Sequence, residues 1–273
     1  MKRTILQKAA AAALFVLLTA ALLAAADFLL VDDVHSYSRV MLQEMYADAG
    51  NIDTLFLGSS HCYRSVDPAA VDAALGTHSF TAGSSQQLPD GSYYMLREAA
   101  AENDLKTVYL EMFYTGYNES RSANVPMACY LLTDHMSAAS PNRYEYLWEM
   151  GGLAGFADLL LPARHGIASP RAMPALWRAK LTDGYDPGSY AYVSYPDSGE
   201  AYRGRGFVYT QGVPKDGFGT LLNLDADAPL SDFGWEYLNK IADFCEENGI
   251  RLVLFTAPLP SGYLYNTDNY QSY

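Results

Sequence analysis

Between Thr54 and Thr256 short apolar runs alternate with helical patterns, and no other feature limits the fold so strongly. Thr54-Leu55-Phe56-Leu57 stops at Gly58, His78 to Ala82 stops at Gly83, Thr107 to Phe113 reads TVYLEMF, and Arg251 to Thr256 reads RLVLFT. Each run has the length and the β-branched or aromatic content of a strand, and the continuous apolar ones suit strands covered on both faces. The helical stretches carry their own punctuation. Asp67-Pro68 is an N-cap followed by a first-turn proline, with Gly76 closing the helix. Pro89-Asp90 opens a helix through Met95, Leu96, Ala99 and Ala100. Ser231 caps another, whose apolar face is read as Trp235, Leu238, Ile241, Ala242 and Cys245 and whose end is Asn248-Gly249. Strands and helices in this rhythm predict a doubly wound α/β domain on a mostly parallel sheet.

From about residue 115 to 229 the alternation gives way to a segment rich in Tyr, Gly and Pro. Helical signals persist there only around Tyr144–Leu161 and Ala172–Leu181. A stretch this long is read as a folded, irregular insertion or cap. Its tyrosines between Tyr185 and Tyr209 follow no period; they form either a coiled layer on the core or a sugar-stacking platform. Arg203 and Arg205 are either solvated charge or a hold for an anionic group.

At the N-terminus Lys2, Arg3 and Lys8 precede an uncharged Ala/Leu-rich run from Ala9 to Ala26. A spanning helix needs about 20 apolar residues, and its basic flank stays in the cytoplasm. Residues 1–31 are therefore read as a signal anchor, leaving 32–273 as an extracytoplasmic domain on a single-pass membrane protein. Ala24 and Ala26 form an A-x-A pattern, so cleavage and secretion is the alternative.

Composition removes several functions. Half of the 273 residues are hydrophobic, enough for one substantial core. A formal charge of −13 argues against nucleic acid, which is bound through clustered Lys and Arg. Cys62, Cys129 and Cys245 lack any CxxC spacing, which gives a zinc or redox site little support, while a single disulfide stays open.

Ligands of open parallel sheets bind beyond the carboxyl ends of the strands. Three polar loops leave the sheet there: Gly58 to His61, Ala82 to Gln87 (AGSSQQ), and Tyr114 to Asn118 (YTGYN). A serine in such a place has nucleophilic chemistry open to it if oxyanion donors lie close by. The plainer alternatives are a simple Gly58-Ser59-Ser60 turn, or an anion site of backbone N–H groups, although no GxxxxGK[ST] is present.

Strand-GSSH, a second strand ending at Gly83 and a third leading to Gly116-Tyr117-Asn118 together resemble the SGNH (GDSL-type) hydrolase family. The likeness covers about Ile52 to Asn118 and Ser231 to Pro260, and it implies a flavodoxin-like sheet. It implies Ser60 as nucleophile, with Gly83 and Asn118 completing the oxyanion hole. Ser59 takes the place of the family's usual aspartate; Ser59, His61, Ser84 and Gln86 are expected to contact substrate. The GSS form behind an anchor is similar to exported members acting on cell envelopes, including the lipoteichoic-acid D-alanylation protein and acetyltransferase-like proteins of exopolysaccharide synthesis. An esterase or O-acyltransferase on acylated envelope carbohydrate or a related polymer is the implied activity, and it requires no metal and no organic cofactor. The alternative is a non-catalytic envelope accessory protein that partners a membrane-bound O-acyltransferase. The family's base lies in a C-terminal DxxH block; the sequence reaches Tyr273 soon after its fourth strand, so that block is expected beyond it. Asp32 to His35 also spells DxxH but precedes the first strand, and is read as coincidence.

Overall fold

A computed structural model describes residues 2–118, 120, 125–182, 185, 199–211 and 230–258. The chain begins with α1 (Lys2–Leu30) and α2 (Tyr37–Ala47). Strand β1 (Thr54–Leu57) leads into α3 (Ser60–Ser65) and α4 (Pro68–Leu75), then β2 (Ser79–Thr81), α5 (Pro89–Glu102) and β3 (Thr107–Glu111). After these come α6 (Tyr114–Asn118), α7 (Val125–Ala128), α8 (Pro141–Leu159) and α9 (Met173–Lys180). A hairpin of β4 (Glu200–Gly204) and β5 (Phe207–Thr210), then α10 (Asp232–Glu247) and β6 (Arg251–Phe255), follow, and short π-helical and 3-10 turns lie at Cys129–Thr133 and Pro162–Arg164.

Four strands form a parallel sheet in the order β2-β1-β3-β6. Registers such as Leu55↔Phe80, Leu55↔Val108 and Val108↔Leu252 align their apolar residues. Leu55, Leu57, Phe80, Val108 and Leu110 are wholly buried, each contributing roughly 1.5–3 kcal/mol of apolar transfer. The chain runs outward from β1 to β2 and returns past it to β3, so strand order reverses beside β1. A crevice opens at such a point, at the carboxyl ends of the strands.

Local signals behave as their chemistry requires. The Asp67 carboxylate accepts the Ala69 N–H at 2.9 Å, Pro68 occupies the first turn, and Gly76 closes α4 at a φ of 69°. Ser231 accepts the Gly234 N–H at 3.0 Å and starts α10. The buried face of α10 departs from expectation. It is Gly234, Tyr237, Ile241 and Cys245, while Trp235 is about half exposed. The same helical period fits both stripes, and close contact at the first turn selects between them: a Cβ on Gly234 would stand 2.2 Å from the Tyr117 carbonyl oxygen.

The expected insertion contains α7, α8, α9 and the hairpin, and buried polar bonds tie part of it to the core. Tyr46 on α2, Ser140, and Asn142 on α8 all donate to the buried carboxylate of Glu98 on α5, at 2.7, 2.5 and 2.8 Å. The hairpin turn covers the free edge of β2, because the Thr81 N–H donates to the Arg205 carbonyl at 3.0 Å. Gly206 there has a φ of 80°, and a Cβ would lie 1.7 Å from the Thr81 carbonyl oxygen. Gly206→Ala is expected to lower stability by about 2–3 kcal/mol. Urea titration of the full chain in detergent, showing an earlier midpoint at unchanged slope, checks this.

Each arginine of this region has a partner. Arg205 is paired with Asp72, and the Arg203 guanidinium lies 5.4 Å from the Tyr209 ring centre. Of the tyrosine-rich stretch, residues 186–198 lie outside the described residues; Tyr202 is committed to the Glu44 carboxylate. All three cysteines are buried and free. Helix α1 is long and apolar enough to cross a membrane, with a mean hydropathy of 2.4 over an 18-residue window within Thr4–Leu30.

Candidate active site beyond the first and third strands

Ser59 and Ser60 follow β1 and have opposite surroundings. Ser59 is the N-cap of α3, and its hydroxyl oxygen accepts the His61 N–H at 3.3 Å. That hydroxyl in turn donates to Glu111 Oε2 at 2.9 Å, and the Ser59 backbone N–H reaches the same oxygen at 2.7 Å. With 3 % of its surface exposed, Ser59 is a structural pin, which differs from its expected contact with substrate. Ser60 begins α3 half-buried, and among the described residues its hydroxyl has no hydrogen-bond partner.

The second loop packs directly on the first. The Ala82 N–H donates to the Phe56 carbonyl at 2.8 Å and the Ser84 N–H to the Gly58 carbonyl at 3.2 Å, so the chain crosses between them at Gly83. A Cβ on Gly83 would meet that Gly58 oxygen at 2.8 Å and the Ser59 carbonyl oxygen at 3.4 Å. Only glycine allows this approach of the two backbones. Ser84 is buried, at 2 % exposure, against its expected contact with substrate; Gln86 is exposed, at a φ of 53°. The Gln87 amide stiffens the loop by donating to the Ala82 carbonyl at 3.3 Å and the Ser92 hydroxyl at 3.0 Å.

The third loop joins through stacking. The His61 ring lies on Phe113, centres 4.3 Å apart, and its Nδ1 is 3.3 Å from the Ser59 hydroxyl. Burial, with Arg64 beside it, lowers the His61 pKa below the ordinary histidine value, which keeps the ring neutral at pH 7. Tyr117 is buried and its carbonyl accepts both the N–H and the hydroxyl of Ser231, at 3.1 and 2.8 Å. Asn118 ends α6 exposed, and no hydrogen bond joins it to Ser60 or Gly83.

Sequence reasoning passed over Glu111, the group on which the site is built. Its signal was present as the single charge in TVYLEMF, at the carboxyl end of a strand of otherwise uncharged residues. Gly58 leaves room for it: a Cβ there would lie 2.5 Å from the Glu111 Cβ. Burial pushes the Glu111 pKa above the usual 4.5, partly offset by hydrogen bonds from Ser59 and from the Cys62 N–H. Between the unfolded and folded values, the native state holds a proton that the unfolded chain has released. Stability from this group is thus complete below about 4.5 and is lost as the pH rises through the folded value. Glu111→Gln, which keeps an acceptor oxygen and cannot ionise, is expected to flatten that fall. Urea midpoints of both proteins measured from pH 4 to 8 check it; parallel curves would refute it.

The histidines are committed elsewhere. His35 Nδ1 lies 2.9 Å from the Asp32 carboxylate, so this DxxH does form a pair in space, in the turn before α2. His78 pairs with Asp48 at 2.6 Å, His135 with Ser36 at 2.9 Å and His165 with Asp134 at 2.8 Å. None of the five hydrogen-bonds Ser60. The region expected to precede a C-terminal Asp and His, residues 259–273, lies outside the described residues. No cluster of metal-ligating side chains occurs among the described residues.

Fold and site together define an α/β domain with a parallel sheet, closely packed polar loops after its first and second strands and an apolar helix in front. Compared with family models, curated proteins and solved structures, the chain gives no match.

Proposed function

We propose that this protein is a membrane-anchored, extracytoplasmic serine esterase or O-acyltransferase of the SGNH type, acting on acylated envelope carbohydrate or a related polymer. One observation carries the reading. Of two adjacent serines after β1, one is pinned by a buried carboxylate while the other, Ser60, keeps an uncommitted hydroxyl one residue beyond the Gly58-Ser59 backbone on which Gly83 packs.

In this mechanism the Ser60 oxygen attacks an acyl carbonyl, and the backbone N–H groups of Ser60 and Gly83 take the oxyanion. Glu111 acts at one remove, holding Ser59 and hence the start of α3. A base from elsewhere takes the Ser60 proton and returns it to the departing alcohol oxygen as the tetrahedral intermediate collapses, breaking the substrate's acyl–oxygen bond and leaving the acyl group on Ser60. Water then resolves the acyl-enzyme in an esterase, a sugar hydroxyl in a transferase. The doubly wound, flavodoxin-like arrangement belongs to the same proposal, and the strand order β2-β1-β3-β6 supports it. Residues 1–31 serve as the anchor, with Lys2, Arg3 and Lys8 on the cytoplasmic side.

A second reading, a non-catalytic accessory protein that binds a membrane O-acyltransferase through this crevice, has its own support. No histidine hydrogen-bonds Ser60. A fluorophosphonate applied to the full gene product in native membranes separates the two, with the modified peptide mapped by mass spectrometry. A single phosphonylated site at Ser60 is expected; a folded protein that remains unlabelled would leave the binding role.

A further inference from the structure

The free end of α1 is built into the domain. The Trp177 indole N–H donates to the Leu29 carbonyl at 2.6 Å, and the Lys180 ammonium donates to the carbonyls of Phe28 and Val31 at 2.8 and 2.7 Å. Asp27 accepts the Ala163 N–H at 3.1 Å, and the Ala168 N–H donates to the Leu30 carbonyl at 2.8 Å. The last carbonyls of a helix have no partner within it, and α9 with the turn before it supplies partners here. This fixes the height of the segment. The uncharged run Ala9–Ala26 is about 27 Å long at ~1.5 Å per residue, close to the ~30 Å of a bilayer's hydrocarbon core. Asp27 therefore marks the edge of the hydrocarbon, and the groups bonded to residues 27–31 stand at headgroup level.

At that level the protein exposes apolar and basic side chains together. Leu176 and Lys180 turn α9 inward, whereas Ile167, Trp177 and Leu181 are 55, 41 and 73 % exposed. From Pro162 to Thr182 the sequence holds Arg164, Arg171, Arg178 and Lys180 with no Asp or Glu, in a chain of net charge −13. Arg171 and Arg178 are exposed. Tryptophan favours the boundary between headgroups and acyl chains, and arginines are drawn to an anionic membrane surface.

We infer that residues 162–182 form a membrane-contact collar around the anchor, seating Trp177, Ile167 and Leu181 in the bilayer interface and Arg171 and Arg178 on anionic lipid headgroups. The collar rests on α1 being a transmembrane anchor. It would hold the domain at a constant height and orientation above the membrane and restrict the crevice to substrates presented there.

The test uses the full chain with Trp148→Phe and Trp235→Phe, reconstituted into phosphatidylglycerol-rich vesicles carrying lipids brominated near the headgroup or near the bilayer centre. Flotation at high salt is measured first. A chain that does not float overturns the anchor and the collar with it. If it floats, shallow bromines are expected to quench Trp177 about twofold or more, deep bromines far less. Arg171→Glu with Arg178→Glu is expected to remove at least about half of that quenching while flotation is unchanged. A floating chain whose Trp177 is not quenched, or whose quenching survives the double reversal, would leave the anchor standing and overturn the collar. The exposed patch would then await a protein.

Discussion

Ser60→Ala is expected to lower turnover of an activated acyl ester such as p-nitrophenyl acetate by at least about a thousandfold, leaving only what binding and oxyanion stabilisation provide. The substitution removes a half-buried hydroxyl that has no hydrogen-bond partner among the described residues, so its cost in stability is expected to stay within roughly 0.5 kcal/mol. Loss of rate without loss of fold is the signature sought. Ser59→Ala gives the contrast: it deletes an N-cap and a buried donor to Glu111, and is expected to cost about 1–2 kcal/mol. Initial rates and urea midpoints of both variants, taken on the full gene product, decide the matter. An unchanged rate in Ser60→Ala would place any esterase activity elsewhere.

Glu111→Ala is the substitution expected to harm the molecule most. It would strand the Ser59 N–H, the Ser59 hydroxyl and the Cys62 N–H beneath the loop, and leave a cavity where the side chain fills space beside Gly58. Buried donors without acceptors and a side-chain-sized void together cost roughly 3–5 kcal/mol. Labelling of Ser60 should fall as well, because the start of α3 loses the group that holds it. Glu111→Gln retains one acceptor oxygen and is expected to keep most of the stability at neutral pH. Thermal melts of the two variants side by side test this, and equal melting temperatures would mean that neither the acceptor oxygens nor the volume of Glu111 holds the loop.

The same residues explain how far the sequence could be read. Caps at Asp67 and Ser231 were legible because a cap is a bond between near neighbours, and the short apolar runs were legible because both faces of those strands needed covering. The convergence of the loops after β1 and β2 was likewise legible from chain order alone. Which of two serines is pinned was not. Its partner Glu111 lies 52 residues away and meets it only through a parallel register between β1 and β3. The buried stripe of α10 depended in the same way on a backbone approach between Gly234 and Tyr117.

By itself, then, the amino-acid order determined the strand and helix alternation, the helix starts, and an N-terminal run apolar enough for a bilayer, since each depends on spacing within a few turns of chain. Tertiary structure alone decided the separate fates of Ser59 and Ser60, the pairing of Arg205 with Asp72, and the capping of α1 by Trp177 and Lys180. These depend on partners brought together from distant parts of the chain, where burial and the need to satisfy every buried donor choose among groups that look alike in sequence.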